Sequence, residues 1–142
     1  MDKIKISIEI NAPAEKVWAV LLGKDSYPEW AAVFAEGSKA ETDWQKGSKA
    51  LFLDSNNEGM VSRIADNIPN EFMSIEHLGM IKDGKEDLNH EWSGAKENYN
   101  LSEKDGKTEL LITMDSNAEM QAYFEETWPK ALDKIKLLSE NK

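Results

Sequence analysis

The chain contains no cysteine. Disulfides, zinc–thiolate sites and cysteine nucleophiles are excluded, and the composition suits a reducing cytoplasm. Arginine is nearly missing: Arg63 is the sole one, and 17 basic residues face 27 acidic ones for a formal net charge of −10. A field of that sign repels nucleic-acid backbones and anionic membrane surfaces, so no nucleic-acid partner is expected. No apolar run approaches the roughly 18 residues that a membrane span needs. None follows Met1-Asp2-Lys3 either, where a secretory leader would place one. A cytoplasmic protein is expected. Repeats, linkers and low-complexity tracts are missing too, and 142 residues correspond to one domain spanning residues 1–142.

Several chemistries are missing their signatures. There is no GxSxG nucleophile turn, no phosphate-binding P-loop and no dinucleotide fingerprint. The carboxylates show no spacing that singles out a glycosidase pair. Only two histidines occur, His77 and His90, in no metal-ligand spacing. No metal, no cofactor and no catalytic residue is assigned.

What the chain does have is pattern. Ile4, Ile6, Ile8 and Ile10 alternate with polar residues and predict a strand over about 3–11. Asn11-Ala12-Pro13 follows, with Pro13 suited to a first helical turn. Val17, Trp18, Leu21 and Leu22 predict the apolar face of a short helix ending at Gly23. Asp25–Trp30 reads as a second helical turn.

From about 33 to 115 the period changes to two. Gly47, Asn56-Asn57, Pro69-Asn70, Asp83-Gly84 and Asp105-Gly106 punctuate it. Hairpins are expected at Pro69-Asn70 and, tighter, at Asp105-Gly106. Segment 82–94 is polar and reads as a loop or ragged strand edge. The last element is a helix from about 117 to 139. Met120, Phe124, Trp128, Ala131, Leu132, Ile135 and Leu138 share one stripe, while Glu119, Glu125, Glu126, Asp133 and Lys136 lie off it. Pro129 falls on the polar side, where it removes one backbone bond and is expected to bend the helix.

The order is thus β–α–α, a meander of about six further strands, and one long helix. Only one face of each strand is apolar, so all the helices must cover the same side of the sheet. A bent sheet around a long helix encloses space between them, a candidate pocket.

These residues resemble a known group. The strand ending in Ile10-Asn11-Ala12-Pro13, then Val17-Trp18, then Trp30, is similar to the opening of the START-like (SRPBCC, birch-pollen-allergen-like) superfamily. The closer similarity is to the branch that resembles the activator of the heat-shock protein 90 ATPase. It is carried by Trp44-Gln45-Lys46-Gly47-Ser48, the strand Gly59–Pro69, Ile75-Glu76-His77, Glu97-Asn98-Tyr99-Asn100-Leu101 and Trp128-Pro129-Lys130-Ala131-Leu132. The resemblance covers nearly the whole chain. It implies an α+β helix-grip fold: a curved antiparallel sheet of about six or seven strands wrapped around the C-terminal helix, with two short helices after strand one. It also implies an interior cavity of the kind that often takes apolar or amphipathic molecules. The superfamily includes polyketide cyclases, dehydratases, lipid-transfer domains and co-chaperone modules, so fold alone does not assign function. The namesake's co-chaperone activity depends on a second domain, for which 142 residues leave no room, and direct chaperone activation is not expected.

Alternation sorts the polar candidates. Met73, Ile75 and His77 share one strand face, as do Glu97, Tyr99 and Leu101. If both faces point inward, a His, a Glu and a Tyr meet an apolar concave wall, suited to orienting a polar head or to acid–base work at a carbonyl. The alternative is a structural His77–Glu97 pair. His90 and Trp92 read as a lid over the cavity mouth, or as a solvated loop with an anchoring Trp. The expected ligand wall comprises Trp30, Phe52, Met73, Ile75, Tyr99, Ile112, Met114, Phe124 and Trp128, with His77 and Glu97 as polar anchors. The expected partner is a small apolar or amphipathic molecule. A protein-interaction or stress-related module with a filled interior is the rival, and a cofactor-free cyclase or dehydratase a third possibility.

Overall fold

The structure is a computed structural model that describes residues 2–116 and 118–141. Met1 and Asn117, where the sequence pattern starts the last helix, lie outside the described residues, as does the side chain of Glu119. The elements run β1 (Asp2–Ile10), α1 (Ala14–Leu22), α2 (Ser26–Ala31), β2 (Lys39–Glu41), β3 (Lys49–Leu53), β4 (Gly59–Ile68), β5 (Phe72–Lys82), β6 (Lys85–Asp87), β7 (Ala95–Lys104), β8 (Lys107–Ser116) and α3 (Ala118–Glu140).

The strands form one antiparallel sheet in the order β1-β8-β7-β5-β4-β3-β2, with β6 paired to β5 off that path. Eight strands exceed the expected six or seven because β2 and β6 are only three residues long. Three positions are too few to display a period of two. The hairpin at Asp105-Gly106 has φ of 55° and 78°, and that at Asp83-Gly84 has 53° and 74°. Positive φ at both central residues matches the right-handed strand twist, and Asp-Gly tolerates it at low cost. The β4–β5 pair carries register shifts at Val61/Ser62 and Ile64/Asp66. Such irregularities bend a strand and increase its local twist, and the sheet is curved.

Helix α1 begins one residue later than the sequence suggests: Pro13 precedes it with extended ψ of 158° and offers no side-chain cap. The carboxylate of Glu103, from the end of β7, accepts the Ala14 N–H at 2.7 Å instead. Thr108 donates to the Ala12 carbonyl at 2.7 Å and fixes the same corner. The face that α1 buries is Ala14, Val17, Val20 and Leu21, whereas Trp18 and Leu22 are only partly covered. The buried stripe is rotated by about one position because α1 packs against both α2 and α3.

α3 runs unbroken through Pro129, whose ring is exposed. In its C-terminal half Ala131, Leu132 and Ile135 are buried where the helix packs on β1 and α1. Ile10, Val17, Leu21, Leu110 and Ile112 complete this solid end of the core. Lys136 donates to the Glu9 carbonyl at 3.2 Å, and Glu140 accepts the Asn11 N–H at 2.8 Å, so the helix end is pinned to the end of β1. The N-terminal half of α3 is less covered: Phe124 is half-buried and Met120 is 39% exposed. Replacing Ile135, which is 0% exposed, by Ala is expected to lower stability by about 2–5 kcal/mol in urea unfolding with an unchanged m-value.

Candidate functional site

Beyond Trp128 the interior is open. A cavity of about 760 Å³ lies between the sheet and the N-terminal half of α3. Its floor is the concave sheet face, with Phe52 on β3, Ile75 and His77 on β5, Glu97 and Tyr99 on β7, and Met114 on β8. α2 supplies Trp30, and α3 supplies Phe124 and Trp128. The sequence-derived wall is brought together there with two exceptions. Met73 and Ile112 are 0% exposed and belong to the solid core rather than to the cavity wall. Both flank Tyr99 in the sheet register, so this row marks where core gives way to cavity.

The aromatic wall is a connected cluster. Trp128 touches Trp30, Phe34 and Tyr99 with ring centroids 6.2, 4.9 and 6.1 Å apart, and its indole N–H points at the Met114 sulfur, 3.0 Å away. Tyr27 lies edge-on to Trp30 at 5.0 Å and also meets Trp44 and Phe52. The indole nitrogen of Trp30 is buried with no hydrogen-bond partner among the described residues.

One polar cluster breaks the apolar surface. His77 and Glu97 sit on adjacent strands and are inward-facing, as alternation predicts. His77 Nε2 lies 3.0 Å from Glu97 Oε1, and the Tyr99 hydroxyl donates to Glu97 Oε2. On the far side of the imidazole, Ser62 Oγ lies 2.7 Å from Nδ1. The imidazole is thus held from both sides, Nε2 by Glu97 and Nδ1 by Ser62. Burial works to push the Glu97 carboxyl upward, but the hydrogen bonds from His77 and Tyr99 and the histidine's charge outweigh it and hold the group below the ordinary value of 4.5. Burial, and then the Glu97 charge, push the Tyr99 and Tyr27 phenols well above 10.0.

The rim was less legible. Trp44 adopts φ of 62°, a strained conformation for a bulky residue. Its N–H donates to Thr42 Oγ1 at 3.1 Å, and its carbonyl accepts Asn67 Nδ2 at 2.7 Å, which hold it there. Tyr27 and Trp44 line both this cavity and a second recess of about 590 Å³ on the α1–α2 side. Segment 88–94 reaches the cavity with His90, Glu91 and Trp92, the two rings stacked at 4.6 Å. Ser93 anchors it, its Oγ lying 2.8 Å from the Leu78 carbonyl, and Gly94 N–H donates to the His77 carbonyl at 2.8 Å. Among the described residues, no group of three or more His, Asp or Glu side chains is placed to hold a metal ion, and no helix is long and apolar enough to cross a membrane.

A bent antiparallel sheet, two short helices and a long C-terminal helix closing over an aromatic cavity define a START-like, helix-grip protein. Within that class, the family model described as activator of Hsp90 ATPase homolog 1-like protein matches residues 11–140, and the chain belongs to that family. Solved structures share the fold. Protein MLL2253 from Mesorhizobium loti is 15% identical with a TM-score of 0.77, the alignment covering 96% of each chain. The Aha1 dimer from Colwellia psychrerythraea is 20% identical with a TM-score of 0.75, over 100% of this chain and 99% of that one. CalU16 from Micromonospora echinospora, in its crystal structure, is 19% identical with a TM-score of 0.67, over 97% of this chain and 74% of its own. At these identities the likeness is one of fold. A sequence comparison with curated proteins finds no significant match.

The polar cluster makes the acid response specific. Because the folded state holds Glu97 below 4.5, the native protein binds fewer protons than the unfolded chain just under that pH. The stability this group contributes is present above pH 4.5 and is lost as pH falls through the depressed value. Glu97→Gln is expected to flatten the acid limb of the stability-versus-pH curve, read from urea midpoints. In alkali the sign reverses. Tyr27 and Tyr99 stay unionised at pH 10, so tyrosinate absorbance from these two appears only with unfolding.

Proposed function

We propose that the protein binds a small apolar or amphipathic molecule in the cavity between the sheet and the N-terminal half of α3. The observation that carries this reading is the open volume of about 760 Å³, walled by aromatic rings, with the hydrogen-bonded cluster of His77, Glu97 and Tyr99 set into the wall. Small-molecule sites typically span about 300–1,000 Å³, mostly apolar with few convergent polar groups. Burying ligand apolar surface contributes about 25 cal/mol per Å² before ordering costs. Glu97, His77 and Tyr99 would orient the ligand's polar end.

An interaction module with a filled interior fits this open space poorly. The cyclase or dehydratase reading has one feature in its favour, the convergence of His77, Glu97 and Tyr99 within hydrogen-bond reach. Their electrostatics argue for orientation instead. Glu97 is held below its ordinary range and Tyr99 above its own, so both move away from the neutral pH at which a general base or acid works best.

A thermal-shift screen with sterols, fatty acids and polyketide-like aromatics tests the proposal. At 100 times its Kd a ligand adds about 2.7 kcal/mol, which raises Tm by several degrees. Ala35, on the cavity wall, replaced by Phe removes ligand space and is expected to abolish the shift while the unliganded Tm changes little. A screen in which no class raises Tm contradicts ligand binding.

A further inference from the structure

The charge of this cavity is one-sided. Asp54, Glu58, Glu91, Glu97 and Asp115 all line it, and among the described lining residues there is no lysine or arginine. The outer carboxylates belong to the β3–β4 turn, the 88–94 segment and the end of β8. Asp54 is engaged by the N–H groups of Asn56 and Glu58, and Asp115 pairs with Lys3 at 3.7 Å. Glu97 differs from these because it stands inside, with its side chain 16% exposed, and its partners are a phenol and an imidazole. Hydrogen bonds from Tyr99 and His77 engage its two oxygens, and no lysine or arginine on the described wall pairs with it.

Aromatic rings line the same cavity beside His77 and that carboxylate. Tyr99 bonds to it, Phe52 meets His77 at 6.3 Å, and Tyr27 packs on Phe52 at 6.1 Å. Aromatic faces attract cations through the ring quadrupole, most strongly when water is excluded. A ligand ammonium would find a counter-ion and aromatic faces together. A ligand carboxylate would be desolvated beside Glu97 with no lysine or arginine on the described wall to receive it.

We infer that the cavity selects ligands carrying a cationic amine on an apolar or aromatic frame, with Glu97 as the counter-ion. This rests on the ligand-binding reading above and adds to it the sign of the ligand's charge.

A matched series separates the two. Naphthylethylamine, naphthylethanol and naphthylacetate present one frame with positive, neutral and negative ends. By isothermal titration calorimetry at a pH of about 8, above the ordinary imidazole range, the amine is expected to bind at least ~10-fold more tightly than the alcohol, and the carboxylate most weakly. An alcohol that binds as tightly as the amine, or a carboxylate that binds best, overturns the proposal and leaves ligand binding standing. No binding by any of the three, together with a flat thermal-shift screen, overturns both. Repeating the series at about 1 M salt, where the Debye length is ~3 Å, separates the interior carboxylate from the net surface charge. An amine preference that vanishes there arises from the surface field and overturns the proposal. In Glu97→Gln the ratio of amine to alcohol affinity should fall toward one, and an unchanged ratio in the folded variant refutes the role of Glu97. If that variant does not fold, the salt series on the native chain decides.

Discussion

Trp128 is the contact on which the interior depends. One and two turns further along α3, Ala131, Leu132 and Ile135 are sealed against β1 and α1; one turn back, Phe124 looks into open space. The indole meets Trp30 from α2, Tyr99 from β7 and the Met114 sulfur from β8. Four elements are thus tied at one side chain, and the solid core braces the walls of the cavity. A large rigid ring suits this role because it spans the gap between helix and sheet with only two torsions to fix. The division of labour along α3 follows: its C-terminal half holds the fold together, and its N-terminal half roofs a space the fold leaves unfilled.

The second constraint is the buried carboxylate. An ionised Glu inside an aromatic cavity is costly unless its oxygens are engaged. The β5–β7 register supplies the remedy by setting Ile75 opposite Glu97 and Met73 opposite Tyr99, which brings His77 and Tyr99 to the two oxygens. Ser62 then fixes the imidazole from β4. The polar cluster thereby spans three adjacent strands and depends on their exact alignment. A slip of one residue would turn its members to the opposite face.

Much of this was legible in the alternation. His77, Glu97 and Tyr99 sit in long strands whose apolar neighbours fix the inward face, so their convergence followed from period two and antiparallel order. The apolar stripe of α3 and the Asp-Gly hairpins were equally readable, because each rests on a local rule. What escaped had non-local causes. Ser62 is a serine at a register shift, where alternation fails, and nothing in its own surroundings marks it as the partner of His77. Tyr27 and Trp44 lie in stretches without periodicity, and Trp44 takes a backbone conformation that its residue type disfavours. Met73 and Ile112 point inward as expected, yet how deep a side chain lies along the groove depends on where Trp128 sits. α1 rotated its buried face because it answers to two helices, which a single amphipathic stripe does not reveal.

The alternating isoleucines of β1 have a consequence in time as well as in space. Among the described residues β1 pairs with β8 alone, Ile4 opposite Met114 and Ile10 opposite Thr108. β1 must therefore wait until β8, about a hundred residues further along the chain, has been made before it gains a neighbour. Until then its apolar edge has no native partner, and closing so long a loop is slow. The lysines that alternate with those isoleucines, Lys3 and Lys5, place charge on a strand that ends the sheet order and keeps one open edge even in the folded sheet. Like charges of this kind discourage pairing with the wrong chain. The edge those lysines guard during folding is the edge they go on guarding once the sheet is complete.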